Sequence, residues 1–314
     1  MAALLGIALV FAAVLGGFLL EQGNPYVLMQ PAEALIIGGA AVGIIVVANP
    51  PEVIRKMARG AAAAFRQSVH TRQSFLRALR MLYEIFYFAQ RAGNGELESH
   101  VDHPDASKLF TKYPEILADR ATLDFVCDSL RMLVIGVTTP NELDQLMDLD
   151  IDVQRQARLA PVSALSSVAD ALPGLGILAA VLGVVITMGA IGGAPETIGE
   201  KVAAALVGTF LGILLCYGVV GPVASRMENM SAKEAQFFQV LRTAIAAYAR
   251  GSSPLLAIEY ARRSIPAELR PDFAEMETAM RRMAKAPDSE VPPAAPTPSL
   301  PPGKETAHAE PIHA

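Results

Sequence analysis

Four long apolar runs, arranged as two close pairs, constrain the fold of this chain more than any other feature. They extend from Ala2 to Leu20, Ala34 to Ala48, Leu172 to Gly193 and Val202 to Val223. A helix that crosses a bilayer needs about 20 mostly apolar residues, which favours four transmembrane helices. The second run is short, so it crosses only if its helix begins near Pro31 or the bilayer thins locally. Otherwise it is a re-entrant or buried core helix.

The distribution of basic residues predicts which side of the membrane each segment faces. Of the 26 lysines and arginines, 14 lie between Pro50 and Ala169 and 11 follow Val223, whereas the two short connections contain only Lys201. Cytoplasmic segments carry the excess of these residues, so the long loop and the C-terminal segment are predicted to be cytoplasmic. The first run lacks the basic start and the cleavage site of a signal peptide. The net charge of -5 argues against a nucleic-acid partner.

Helical periodicity continues outside the membrane, and no useful strand alternation is present. The predicted helices cover about 70–91, 96–101 and 117–135, an acidic helix capped by Asn141, and then 231–250, a helix begun by Ser253, and 271–285. Pro161 is interpreted as the point of re-entry toward the membrane. From residue 286 onward 8 of 29 residues are proline, which is typical of a disordered tail.

The predicted fold class is an all-α membrane protein with four transmembrane helices, a large helical cytoplasmic loop and a helical C-terminal segment. Its predicted parts are transmembrane helices 1 and 2 at 1–49, a loop domain at 50–170, transmembrane helices 3 and 4 at 171–224, C-terminal helices at 225–285, and the tail at 286–314. Cys127 falls in the loop and Cys216 in the fourth run, so we expect no disulfide between them.

Small residues form a seam along each helix of the second pair. The seam of the third run is Gly176, Ala180, Gly183, Thr187 and Ala190, and that of the fourth is Ala205, Thr209, Gly212 and Cys216. Membrane helices associate through such residues, so ordinary packing explains the glycines, and a threonine can bond its own backbone. The alternative is that Thr187, Thr209, Gly183 and Gly212 form an ion pathway or the face for a partner helix.

Two further features of the second pair point to mechanism. Neither run contains a charged side chain, so an acid that carries an ion across the membrane must come from another molecule. Pro173 opens the third run and Pro222 closes the fourth, where each proline either marks a helix end or acts as a hinge that couples the membrane to the loop.

Four stretches of the sequence resemble the MotA family of flagellar motor stator subunits, within the wider MotA/TolQ/ExbB proton channel family. They are QPAEALIIGGAAVG at 30–43, ALPGLGILAAVLGVVITMG at 171–189, ALVGTFLGILLCYGVVGP at 205–222, and AIEYARRSIPAELRPDFAEMETAMR at 257–281. The likeness covers about residues 1 to 285 and leaves out the proline-rich tail.

The resemblance implies a homopentamer around two copies of a single-span MotB-like partner in the bacterial inner membrane. Each partner chain would supply one buried aspartate, and ion flow would drive torque on the rotor protein FliG. The stretch from 207 to 212, VGTFLG, resembles the proton type more than the sodium type, which has a threonine pair followed by tyrosine. The sequence contains no phosphate loop, nucleophile elbow or zinc-protease helix, so we expect no enzyme activity, no cofactor and no metal.

The resemblance also assigns functional positions. Pro173, Thr209 and Pro222 fall on functional positions of the membrane helices, and Glu98 falls on a rotor-contacting glutamate. Gln90 occupies the position of the family's arginine, so its role is carried to the adjacent Arg91. Two acids, Asp148 and Asp150, lie near another acidic position of the family. The alternative for Arg91 and Glu98 is that they only complement helix dipoles.

Other readings of the chain remain as alternatives or decoys. An ExbB/TolQ-like energy transducer resembles a three-span design, and an independent channel would conduct ions alone. The dinucleotide-like spacing of Gly174, Gly176 and Ala179 lies in a spanning run with no preceding strand, so it is a decoy. His100 and His103 lie beside two aspartates but lack the further ligands of a metal site.

Overall fold

The computed structural model describes residues 2–65, 70–189, 192 and 194–284, which form helices and contain no strand. Four of these helical segments are long and apolar enough to cross a membrane, as predicted. The helices are α1 Ala2–Leu20, α2 Pro31–Ala48, α3 Pro51–Ala64, α4 Arg72–Ala92, α5 Asn94–Asp102, α6 Pro114–Ala118, α7 Arg120–Ile135, α8 Pro140–Met188, α9 Pro195–Leu215, α10 Gly221–Ala249, α11 Pro254–Ser264 and α12 Phe273–Ala284. The predicted tail from 286 onward lies outside the described residues.

The second span begins at Pro31, so the residues just before Ala34 belong to the helix. This is the condition under which the short second run is expected to cross the membrane. Proline suits this first position because its missing N–H has no partner in the first turn of a helix. Three residues four apart on α2, Glu33, Ile37 and Ala41, are buried, and α2 packs on α8 and α9 along this face. Glu33 is therefore part of the packed bundle.

One unbroken helix of 49 residues, α8, connects the loop to the third span. It begins with a capping box in which Thr139 accepts from the Glu142 N–H and Glu142 accepts from the Thr139 N–H, so Asn141 is not the cap. Pro161 and Pro173 lie inside this helix. The predicted re-entry at Pro161 and helix start at Pro173 are therefore wrong. Each proline removes only one backbone hydrogen bond, while contacts with α3, α9 and α10 hold the helix together on both sides.

The fourth span also continues without a break. A π-helical turn, Cys216–Val220, joins α9 to α10, and Pro222 lies at the start of α10. The Gly221 N–H donates to the Cys216 carbonyl, five residues back. This wider turn accommodates Pro222 without interrupting the helical segment. The helix-end interpretation of Pro222 is wrong, because Pro222 lies inside one continuous helical segment.

The extramembrane region comprises α4 to α7, α11, α12 and the parts of α8 and α10 beyond the bundle. Its core contains large, fully buried side chains, among them Phe75, Phe86 and Phe238. Phe86 stacks on Tyr248 with 4.3 Å between ring centroids, which joins α4 to α10. Ser253 caps α11 by accepting from the Leu256 N–H, as predicted.

Candidate functional site

The third and fourth spans meet backbone to backbone along a glycine seam. A Cβ built on Gly176 would lie 2.8 Å from the Gly208 carbonyl oxygen, and one on Gly212 would lie 2.5 Å from the Leu172 carbonyl oxygen. Gly183 faces Ala205, whose Cα would be 2.9 Å from an added Cβ. Only glycine permits this approach. The immediate neighbours of Gly183 and Gly212 are therefore helices of the same chain, which is the packing role that the sequence left open.

Glu33 inserts its carboxyl group into one end of this seam. Its Oε2 would lie 2.7 Å from a Cβ on Gly208, and its Oε1 would lie 3.5 Å from a Cβ on Gly183. The residue is 7 % exposed, and Oε2 has no hydrogen-bond partner among the described residues. Sequence reasoning missed this site because it considered charge only within the apolar runs. The four-residue spacing of Glu33, Ile37 and Ala41 was the available signal.

The two seam threonines differ in their surroundings. Thr187 is buried, and its hydroxyl donates to the Gly183 carbonyl oxygen at 2.8 Å, so it is satisfied within its own helix. Thr209 is half-buried, directly follows Gly208, and has no described hydrogen bond from its hydroxyl. Thr209 is consequently the hydroxyl of the seam that is available to another molecule.

No charged side chain lies at mid-depth in the second pair of spans. The stretches 172–188 of α8 and 202–215 of α9 contain none, and their outward faces are apolar and exposed. The exposed side chains on these faces include Ile177, Val181, Val185, Ile186, Leu206 and Ile213. A large apolar surface of the isolated chain is thus left for lipid or for other protein chains.

The prolines assigned to coupling lie where the bundle continues into the extramembrane region. Pro173 follows Leu172, whose carbonyl oxygen contacts the seam at Gly212. Pro222 lines a cavity of about 720 Å³ at the opposite end of α9 from Lys201, between α1, α3 and α10. Because α8 and α10 are continuous, a tilt of either span moves the extramembrane region directly. The hinge role of the two prolines stays a prediction.

The pair assigned to rotor contact is exposed at the tip formed by α4 and α5. Arg91 lies in the last turn of α4 with its guanidinium 4.9 Å from the Tyr87 ring centroid. Gly93 turns the chain with φ +90°, and Glu98 follows on α5, where Leu97 is fully buried and fixes the helix. Since α5 begins at Asn94, Glu98 lies beyond its first turn. The helix-dipole alternative is weaker for Glu98 than for Arg91.

The other two acids assigned to this surface lie elsewhere and have internal contacts. Asp148 pairs with Arg242, which also donates from Nε to Asp144 Oδ1 at 2.7 Å. Asp150 accepts from the Gln154 amide at 3.1 Å. Asp148 thus joins α8 to α10. Neither Asp148 nor Asp150 has a described contact with Arg91 or Glu98.

The histidine cluster of the loop has ordinary packing contacts. His100 Nδ1 lies 2.9 Å from the Ser107 hydroxyl, and its ring is edge-on to Phe88 at 5.0 Å. Burial lowers the pKa of His100, which disfavours its charged form. The part of the chain that the structure describes contains no group of three or more residues that could hold a metal ion.

Two family models match this sequence. The model for the motility protein A N-terminal region matches residues 4–93, and the model for the MotA/TolQ/ExbB proton channel family matches residues 118–240. Motility protein A of Escherichia coli strain K12 is 35% identical over 278 residues, covering 88% of this chain and 94% of that protein. Chemotaxis protein LafT of Vibrio parahaemolyticus is 36% identical over 273 residues, covering 87% and 96% respectively.

Solved structures show the same fold. The flagellar MotAB stator complex of Bacillus subtilis contains a chain that matches with a TM-score of 0.70 at 24% identity, over 87% of this chain and 98% of that chain. The C. jejuni MotAB structure matches with a TM-score of 0.70 at 16% identity, over 85% and 96%. These relatives are named as a motility protein and a chemotaxis protein, so the energy-transducer alternative is not favoured. With this sequence similarity along most of its length, the chain belongs to the MotA family of bacterial flagellar motor stator subunits.

Proposed function

We propose that this chain assembles with a MotB-like single-span partner into a proton-conducting complex that turns the flagellar rotor by acting on FliG. The observation that carries the proposal is the chemistry of the second pair of spans. They offer the free hydroxyl of Thr209 but no acid at mid-depth. An ion that crosses a membrane needs a polar or ionisable group there, so the carrier carboxylate comes from the partner.

The exposed apolar faces of α8 and α9 support assembly around that partner. A chain with four spans and so much exposed apolar surface is suited to contacts with neighbouring copies as well as lipid. Five copies around two partner helices would surround the partner carboxylates with apolar helices and exclude water. The pentamer follows from the family resemblance and is part of the proposal.

The extramembrane region faces the cytoplasm in this proposal. The helix α3, which directly follows the second span, carries Arg55, Lys56 and Arg59, and it contacts α8 and α10. This places basic residues where the positive-inside rule gives them most weight. The two short connections, which precede α2 and α9, then face outward from the bacterial inner membrane.

Weak charged contacts suit the proposed step on the rotor. Arg91 and Glu98 are exposed, and neither forms an ion pair with a described residue. Exposed ion pairs contribute about 0 to 1 kcal/mol, so they can form and break repeatedly. One proton crossing 100 mV releases about 2.3 kcal/mol, which exceeds the strength of one such contact. Reversing Glu98 to lysine should reduce torque and be partly rescued by a charge reversal on FliG, and failure of rescue at every rotor charge would argue against this contact.

The deciding experiment measures ion flux through proteoliposomes that hold the chain with and without the MotB-like partner. We expect proton flux only when both are present, with little dependence on sodium. The matched variant Thr209→Val keeps the shape of the side chain and removes the hydroxyl, so it should reduce flux while the complex still assembles. Full-rate flux through the chain alone would overturn the proposal in favour of an independent channel, and strict sodium dependence would overturn the choice of ion.

A further inference from the structure

The chain has an acid of its own inside the bundle, at the end opposite to the extramembrane region. Glu33 lies in the first turn of α2, yet it is nine-tenths buried between α8 and α9. Gly183, one of its contacts, is five residues from the end of α8 at Met188, which places the carboxyl about 8 Å along the helix from that end. In the proposed orientation this is the outer part of the membrane.

The glycine seam provides the space for this carboxyl group. Oε2 faces Gly208 so closely that an added Cβ would lie only 2.7 Å away, and Oε1 faces Gly183. A methyl group at either position would contact or displace the acid. The glycines therefore serve two purposes here, since they let the spans approach and they accommodate a carboxyl group between them.

Nothing charged offsets Glu33 in this position. The stretches of α8 and α9 that meet it, 172–188 and 202–215, contain no titratable side chain. On the elements packed against it, the nearest titratable groups along the chain are Glu196, Glu200 and Lys201 at the outer end of α9, Tyr26 in the preceding turn, and Asp170 and Cys216 at the inner end. An unpaired carboxylate is disfavoured inside apolar surroundings, so burial here favours the protonated form of the group.

The next residue of α9 on the inward side of this contact carries a hydroxyl group. Gly208, which Oε2 contacts, is directly followed by Thr209, the hydroxyl without a described partner. We propose that Glu33 is a proton-loading site of the chain itself. It takes a proton from water at the outer side and releases it inward, past Thr209, to the carboxylate of the partner. This inference rests on the proposed function, and it places two acids in series along the path.

The test compares wild type with Glu33→Gln and Glu33→Asp in the complete complex with the MotB-like partner. Glutamine keeps the size of the side chain but cannot carry the proton, whereas aspartate keeps the acid on a shorter stem. We expect Glu33→Gln to lower proton flux by about tenfold or more, with Glu33→Asp between it and wild type. The control is Glu21→Gln, an exposed carboxylate on the same side of the membrane, which should leave flux unchanged.

A second readout does not depend on the motor. Infrared difference spectra of the complex, recorded as pH changes, should contain a protonated carboxyl band that titrates in wild type and is missing in Glu33→Gln. Copurification with the partner verifies that each variant assembles. Wild-type flux in Glu33→Gln, an equal loss in both variants, or the absence of a titrating band would overturn the loading role. A wild-type complex that conducts no protons would overturn the proposed function instead, and the infrared band would still decide whether Glu33 binds protons.

Discussion

The membrane bundle and the extramembrane region are both helical, but they are packed by opposite means. In the extramembrane region the largest side chains are innermost, with Phe86 and Leu82 fully buried. In the bundle the smallest residues are innermost, with Gly176 and Gly212 in contact, while large residues such as Ile186 are 63 % exposed. The charged pairs follow the same division, since the described salt bridges lie in the extramembrane helices.

The difference shows how the solvent determines the packing. Water drives large apolar groups into a core, and their burial stabilises the extramembrane region. Lipid offers no such drive, because its tails are as apolar as the side chains, so the spans associate by close approach of their backbones. A large apolar residue is then free to face lipid or another chain. Substitutions should therefore act in opposite directions in the two regions.

The largest effect on motility is expected from adding one methyl group in the bundle. Gly212→Ala would place a Cβ 2.5 Å from the Leu172 carbonyl oxygen and 2.9 Å from the Gly176 Cα. These are backbone atoms that cannot rotate away, so the third and fourth spans must separate, and overpacking of this kind costs about 1 to 3 kcal/mol or more. We expect motility to be lost and the melting temperature of the complex to fall.

A matched substitution on the facing helix controls for the added methyl group. A Cβ on Gly174 meets nothing within 4 Å, so Gly174→Ala should leave motility and melting temperature unchanged. Equal behaviour of the two variants would show that the bundle tolerates separation of its helices. The proposed difference in packing between the bundle and the extramembrane region would then not hold for the bundle.

The next effect is expected from removing side-chain volume outside the membrane. Leu82 is fully buried in the extramembrane core, so Leu82→Ala should lower the free energy of unfolding by about 2 to 5 kcal/mol. Leu149→Ala makes the same change at a position on α8 that is 62 % exposed, and it should change that free energy by less than about 0.5 kcal/mol. Chemical denaturation of the detergent-solubilised complex measures both, and a similar cost for the two would contradict a core organised by burial.

The sequence predicted the features that depend on local composition. The apolar runs gave the four spans, periodicity gave the face of α4 that carries Phe75 and Phe86, and the Ser253 cap of α11 follows from one residue and its neighbour. The MotA likeness supplied the function. Each of these structural signals lies within a few turns of one helix. It can therefore be recognised without knowing which other segment of the chain packs against that helix.

The features it did not predict depend on segments that are distant in the chain. Pro161 and Pro173 are helix breakers locally, but contacts with α3, α9 and α10 keep α8 continuous through both. The π turn before Pro222 contacts α1 and α8, which are likewise distant in the chain. Glu33 follows a loop and precedes an apolar run, and only the gap left by Gly208, 175 residues later, makes it a buried acid. Local propensity contains no information about such a gap.

A smaller effect is expected from removing an ion pair. The described ion pairs all lie in the extramembrane region. The Arg262 guanidinium, with help from Arg263, lowers the pKa of Glu259 to about 2 from its usual 4.5. Arg262 also donates to the Pro271 carbonyl oxygen at 3.0 Å, which ties α11 to the segment before α12. A lowered carboxyl pKa stabilises the fold above about pH 4.5, and this contribution is lost as pH falls toward 2.

Glu259→Gln should therefore reduce the free energy of unfolding by up to about 3 kcal/mol near neutral pH, and by progressively less below about pH 4.5. Melting curves of the two proteins at about pH 7 and about pH 3 measure the change. Glu268→Gln, at an exposed position on the same segment, is the control and should show no such dependence. A difference that stays constant with pH would show that Glu259 acts through its packing and not through its charge.

The smallest effect is expected where the sequence offers neither kind of packing. The segment from residue 286 to 314 has 8 prolines in 29 residues, too few large apolar side chains for a core, and no run of small residues for a seam. Deleting it should leave swimming speed and melting temperature unchanged, because no term that stabilises either region is removed. Non-motile cells with normal levels of the shortened protein would mean that the segment binds something essential. Function outside the membrane would then depend on more than the stability of the fold.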